Sequence, residues 1–256
     1  MKFDVLTLFP AFFDSFKDFS IIKRALGKGV AEITATDIRS YTKDKYGRTD
    51  TPPVGGGAGL VEKAQPIVDA IKDLKGDNGH VILFSPRGKK FDQKEAIRLS
   101  KMDHILLVCG HYEGVDERVN AYCDELLSIG DYILTGGEIA ALSVMDAVIR
   151  LLDGAITKDS LTEESFDENL LEYPQYTEPY EFEGAKVPDI LYSGNHEAIA
   201  KWRRKQSLLL TKKYRPDLFE KVNLTKTDKK LLKEKEGETP SWEAKALQKG
   251  HKFIKT

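Results

Sequence analysis

The 256 residues suffice for one large domain or two modest ones, and 41% hydrophobic against 31% charged content is that of a globular chain in water. No apolar run approaches the ~18 residues that a membrane span needs, which excludes a helical membrane protein. The net charge of −2 hides an asymmetry, because residues 195–256 hold 17 Lys and Arg against 8 Asp and Glu, +9 beside −11 in residues 1–194.

The first stretch, "FDVLTLF" (3–9), reads as a strand; Asp4 falls inside what would be the apolar core of a secretory signal and argues against one. A helical pattern over 12–26 follows, then a strand over 31–38. Next come a helix over 61–75, a strand "HVILFS" (80–85) and a helix over 92–102. The strand "HILLVCG" (104–110) ends on Cys109, too far from Cys123 for a Cys-x-x-Cys site and expected as a packed thiol in a reducing cytoplasm. Helix 113–123, strand 126–130 and the helix 137–152, "GEIAALSVMDAVIRLL", complete the series. Strands apolar on both faces, alternating with helices, predict an α/β fold with a parallel sheet. The helix 137–152 is apolar nearly all round, so burial against the sheet or a second subunit is expected.

Composition shifts after residue 158. Asp159, Glu163, Glu164, Asp167, Glu168 and Glu172 arrive without a basic residue, followed by Pro174, Pro179 and Pro188. Beyond them Asn195 is a plausible N-cap, with Ile199, Trp202, Gln206 and Leu209 on one helical face. The expected organisation is an α/β domain over 1–160, an acidic linker over 161–172 and a small, basic helical domain over 173–256. The basic tail suits a polyanion, though a solvated Lys-rich helix face gives the same charge count.

Three strand ends run into loops rich in Gly and polar residues: "SPRGKKFDQ" (85–93), "CGHYEGVDER" (109–118) and "SIGDYILTGGE" (128–138). In open α/β sheets ligands sit beyond the carboxyl ends of strands, where all three loops lie. Neither the Gly-x-Gly-x-x-Gly nor the Gly-Lys-Ser/Thr phosphate motif is present. The pattern points to a small ligand held by backbone groups, with Gly136 and Gly137 allowing close approach.

These loops, together with "LTLFP" (6–10), "GGGAG" (55–59), "LLEYPQYT" (170–177), "LYSGNH" (191–196) and "KWRRKQS" (201–207), resemble the bacterial tRNA (guanine-N1)-methyltransferases of the SPOUT class. The resemblance covers nearly the whole chain in order and spacing. It implies a deep trefoil knot, an exception to the rule that chains avoid knots. It also implies a cytoplasmic homodimer with shared active sites, and S-adenosylmethionine as methyl donor to N1 of the tRNA guanosine just 3′ of the anticodon. Membrane and DNA are not among the implied partners; no metal site is, and no motif speaks to Mg2+.

Carried across residue by residue, the adenine slot falls to Ile129, Gly130, Asp131, Tyr132, Ile133, Leu134, Gly136 and Gly137. Gly110, Tyr112 and Glu113 would lie by the ribose and methionine, with Ser85 and Pro86 opposite. For Tyr112 and Glu113 a turn capping the next helix is the structural alternative. Guanine N1 carries a proton at neutral pH, so attack needs a general base and a cation for the charge growing on O6. The implied pair is Glu164, in "EESF" where the family usually has Asp, and Arg150, at the end of the apolar helix. Away from that context they read as a solvated linker acid and a C-terminal helix cation. Asn195, His196, Arg203, Arg204 and Lys205 are the implied RNA contacts. Departures are Ala140 for a common Pro, Gln175 for a common His and Glu178 for the usual Arg. Alternatives are a SPOUT methyltransferase acting on another RNA site and a non-catalytic RNA-binding protein of the same fold.

Overall fold

A computed structural model of the chain describes residues 1–156, 165–234 and 239–250, and the chain divides into two compact units, Met1–Leu161 and Thr162–Thr256. The first unit runs β1 (Lys2–Thr7), α1 (Asp14–Lys17), α2 (Ser20–Gly27), β2 (Glu32–Asp37), β3 (Asp50–Thr51), β4 (Val61–Glu62), α3 (Ala64–Leu74), β5 (His80–Lys90), α4 (Gln93–Leu99), β6 (His104–Val108), β7 (Glu125–Ser128) and α5 (Glu138–Ile149). Five strands form a wholly parallel sheet in the order β2-β1-β6-β5-β7.

Period-two alternation sends each strand's residues to opposite faces. Phe3, Val5, Ile82, Ile105 and Leu107 meet α5 and α2 through Val144, Met145, Val148 and Ile22. On the other face Leu6, Val81, Leu83, Leu106 and Val108 meet Ile67 and Ile71 of α3. Both faces are covered, which is why the strands carry continuous apolar runs. The apolarity of α5 is accounted for within this unit: Ala141, Val144, Met145, Val148 and Ile149 are buried, and Ile139 is its exposed large apolar residue.

Three elements differ from the sequence expectation. The pattern over 12–26 is a 3-10 turn (Pro10–Phe13) and two short helices, interrupted where Ser20 takes a positive φ of 37°. The stretch 113–123 is not an α-helix but a loop followed by a 3-10 helix, Glu117–Tyr122, capped by the Asp116 carboxylate on the Arg118 amide (3.0 Å). Its first residues cannot coil, because the Glu113, Glu62 and Asp116 amides donate to the Leu60, Gly114 and Glu62 carbonyls (3.0, 2.9 and 2.9 Å). β5 also outruns its expected end and pairs with β7 as far as Lys90.

The second unit holds α6 (His196–Tyr214), α7 (Pro216–Phe219), α8 (Lys226–Leu231) and α9 (Ser241–Gly250). A short hairpin of β8 (Glu181–Phe182) and β9 (Ala185–Lys186), not anticipated from sequence, precedes them. Asn195 caps α6, its Oδ1 accepting from the Ala198 amide at 3.1 Å. The buried face of α6 is Ala198, Trp202, Leu208 and Thr211, rotated from the expected stripe so that Ile199 and Leu209 are half-buried. Its core is two small clusters, one around Ile190 and Trp202 and one around Leu208 and Leu231. Among the described residues no helix is long and apolar enough to cross a membrane.

Candidate active site

The sheet order makes β6, β5 and β7 neighbours, so the loops at their carboxyl ends open onto one cavity of about 580 Å³. β5 contributes through an irregularity: its register with β7 shifts between Phe84 and Lys89, which carries Ser85, Pro86 and Arg87 into the cavity wall. Gly110, His111, Tyr112 and Glu113 supply the wall beyond β6. Beyond β7 come Ile129, Gly130, Tyr132, Ile133, Leu134, Gly136 and Gly137. Asp131 is the one expected cofactor residue outside the lining; its side chain is 94% exposed and stands 3.9 Å from the Lys90 ammonium. Tyr112 takes φ 58°, a left-handed conformation rare outside glycine and typical of over-determined functional loops.

The glycine pair presses first against the protein itself. The Gly137 amide donates to the Gly110 carbonyl (2.9 Å), and a Cβ at Gly137 would stand 2.7 Å from the Cys109 Cα. Backbone cannot give way there, so Gly137→Ala is expected to destabilise the protein by about 1–3 kcal/mol, read as a lower melting temperature. At Gly136 the obstructing groups are the side-chain ends of Glu138 and His111. A smaller loss from Gly137→Ala than from Gly136→Ala would contradict this packing.

Among the described residues Arg87 is the only Lys or Arg in the lining, and it is engaged: its guanidinium forms two bonds to the Glu117 carboxylate, 3.1 and 2.9 Å. The pairing holds the Glu117 carboxyl below its ordinary range. With Arg87 neutralised, Glu113 leaves the cavity wall acidic rather than built for phosphate.

Sequence reasoning did not find the acids behind the wall. Glu62 is fully buried; its Oε2 accepts from the His111 amide at 2.8 Å, and its Oε1 has no hydrogen-bond partner. Burial pushes its carboxyl up to about 8, with Glu138 and Asp50 adding to the rise against the His111 amide. Glu138 is buried at the head of α5, accepting from the Thr7 hydroxyl (2.8 Å), and its other oxygen lies 3.9 Å from His111 Nδ1. The one sequence signal for Glu62 is an acid closing the apolar Leu60-Val61 pair after a glycine run.

The implied catalytic pair divides. Arg150 occupies the C-cap of α5, its amide donating to the Asp146 carbonyl (3.2 Å), while Glu164 lies outside the described residues. The implied RNA contacts are largely engaged within their own unit. Arg204 binds both oxygens of buried Asp228 (3.0 and 3.1 Å) and Glu168 (2.9 Å). Lys205 meets Glu234 at 2.8 Å, and the Arg203 guanidinium lies over the Tyr173 ring, 4.6 Å from its centroid. His196 begins α6 and is exposed, whereas Asn195 commits its carbonyl oxygen to the cap. Cys109 is a buried thiol whose ionisation burial pushes well above the ordinary range.

The profile of the family described as tRNA (Guanine-1)-methyltransferase TrmD matches residues 1–221. A protein of Clostridium acetobutylicum named tRNA (guanine-N(1)-)-methyltransferase is 54% identical over 238 residues, covering 92% of this chain and 98% of that one. A namesake from Clostridium perfringens is 54% identical over 92% of this chain and all of its own length. Another, from Caldicellulosiruptor saccharolyticus, is 55% identical over 91% of this chain and 96% of its own.

Proposed function

The chain belongs to the TrmD family of tRNA (guanine-1)-methyltransferases, and from that premise we propose that it methylates N1 of the guanosine immediately 3′ of the anticodon, using S-adenosylmethionine. The observation that carries this reading is the convergence of the β5, β6 and β7 loops on one cavity, with no free cation among the described residues of its wall. Its volume of about 580 Å³ lies within the range of small-molecule sites, ~300–1,000 Å³. The chemistry of the wall fits the donor: apolar slots suit a flat adenine, and the acid Glu113 suits a molecule carrying a sulfonium and an ammonium. When bound, the donor supplies an electrophilic methyl group.

The chain's own groups do the rest. Backbone amides and carbonyls of Ile129, Gly130, Tyr132 and Leu134 read the adenine edge, with Ser85, Pro86, Gly110 and Tyr112 around the ribose and methionine. Glu164 accepts the N1 proton, which frees the lone pair for attack. Arg150 balances the negative charge on O6. The surplus of Lys and Arg beyond residue 195 positions tRNA phosphates without reading sequence, while the target base is splayed out into the cavity. Because Arg204 and Lys205 already have partners, the burden falls on other basic residues of the tail. A cytoplasmic homodimer completes the reading. It is supported by large apolar side chains left on the surface of the first unit: Phe19 (71% exposed), Ile133 (82%) and Ile139 (46%). The deciding experiment pairs calorimetry of S-adenosylmethionine with methylation of unmodified tRNA transcripts and mapping of the product base. Binding without turnover on any transcript would favour a non-catalytic RNA-binding protein of this fold.

A further inference from the structure

Glu62 makes a clasp that family membership does not explain. β4 and the residues before it hold the loop beyond β6 by three main-chain bonds, and the Glu62 carboxyl adds a fourth at the His111 amide. The Glu62–Val115 pairing forms an isolated bridge, so Glu62 holds the cavity wall between His111 and Asp116 from both its backbone and its side chain, beside the Leu60 and Gly137 bonds to Glu113 and Gly110. Yet its outer oxygen is buried without a partner, beside a second buried acid, Glu138. Such an arrangement suits a neutral carboxylic acid and is costly for a carboxylate.

We propose that Glu62 is a positioning residue: its carboxyl group, uncharged when the wall is in its ligand-ready shape, holds the 110–115 loop by the His111 amide, and its ionisation loosens that loop and weakens the cavity's ligand. The inference rests on the reading of the cavity as the S-adenosylmethionine site.

The groups around Glu62 make it respond to pH. Glu138 reaches it from the head of α5, Asp50 from β3, where it pairs with Glu62 in register, and both oppose its ionisation. Arg39, in the 3-10 helix after β2, favours ionisation, as does the His111 amide. Cys109, at the end of β6, is itself held un-ionised in part by Glu62 and Glu138. The carboxyl stands at about 8, so it is neutral in most molecules at pH 7 and ionised in about nine of ten at pH 9. A competent fraction of one in ten weakens apparent affinity about tenfold.

Calorimetric titration of the full-length protein with S-adenosylmethionine from pH 6.5 to 9 tests this, wild type against Glu62→Gln. Gln keeps an acceptor for the His111 amide but cannot ionise. Wild-type affinity is expected to fall about tenfold more between pH 7 and 9 than that of Glu62→Gln, and comparing the two profiles cancels the ligand's own titration. Parallel profiles would overturn the role of Glu62 and leave the site reading standing. No binding by either protein at any pH would instead overturn the site reading, and the role with it. Should Glu62→Gln not fold, Glu138→Gln decides: removing that charge eases ionisation of Glu62, so the loss of affinity must begin at lower pH, and an unmoved profile overturns the proposal.

Discussion

Single-turnover methylation of a tRNA transcript, with enzyme in excess, is expected to slow by about 10²–10⁴-fold in Glu164→Gln, with little change in S-adenosylmethionine affinity. The substitution keeps size and hydrogen bonding and removes the basic lone pair. Arg150→Ala acts on the same step through O6, with an expected loss on the order of 10²-fold. Two residues serving one transition state act as a unit, so the double variant is expected to be slower than either but short of the product of both losses. Glu164→Asp restores the acid usual in the family and is expected to stay within about tenfold of wild type, since the basic carboxylate is kept. Near wild-type chemistry in Glu164→Gln would remove it as the base and make Asp167 or a water the next candidate.

The second large effect concerns tRNA. A chain ended at residue 161 keeps both apolar clusters of the sheet, since every residue in them lies at or before 155. It is therefore expected to fold and to bind S-adenosylmethionine. Its tRNA affinity is expected to drop by at least about 100-fold at moderate salt, because the tail with +9 is gone and the body that remains is acidic. A gel shift at the wild-type concentration would contradict this division of labour. Charge removal inside the tail needs care. Arg204→Ala also strips buried Asp228 of its bidentate partner, and is expected to destabilise the second unit by about 2–3 kcal/mol. The pairing holds the Asp228 carboxyl below its ordinary range. Its contribution is therefore in place above the unfolded carboxylate range and is lost as the solution is acidified through the lower, folded value.

The sheet was readable because its signal is local: strands apolar on both faces, separated by helical patterns, imply covered parallel strands wherever they occur. The cavity was readable for a related reason, since loops after parallel strands collect at one end of a sheet. What could not be read depends on distant partners. The stretch 113–123 has a helical pattern, yet its first residues bond to Leu60 and Glu62, some fifty positions earlier. Arg204 looks like a phosphate contact until Asp228 is folded against it. Glu62 resembles any solvated acid until burial removes its water. Asp131, drawn in by its neighbours in a ligand-binding loop, is solvated and stands nearest the Lys90 ammonium of β5, a proximity that only the folded sheet creates.

The place of β1 in the sheet bears on how the protein is made. Lys2 pairs with Glu32 on one side and His104 on the other, so β1 acquires its second neighbour only about a hundred residues after it leaves the ribosome. At elongation rates of about 5–20 residues per second that interval is on the order of 5–20 s. Throughout it the chain carries an unpaired strand edge with Phe3 and Val5 on one face and Leu6 on the other, the kind of surface on which nascent chains aggregate. Closing so long a loop before any contact rewards it also sets a slow folding rate. Yield during synthesis is then governed less by the stability of the finished sheet than by how well that edge is shielded while the chain is still short.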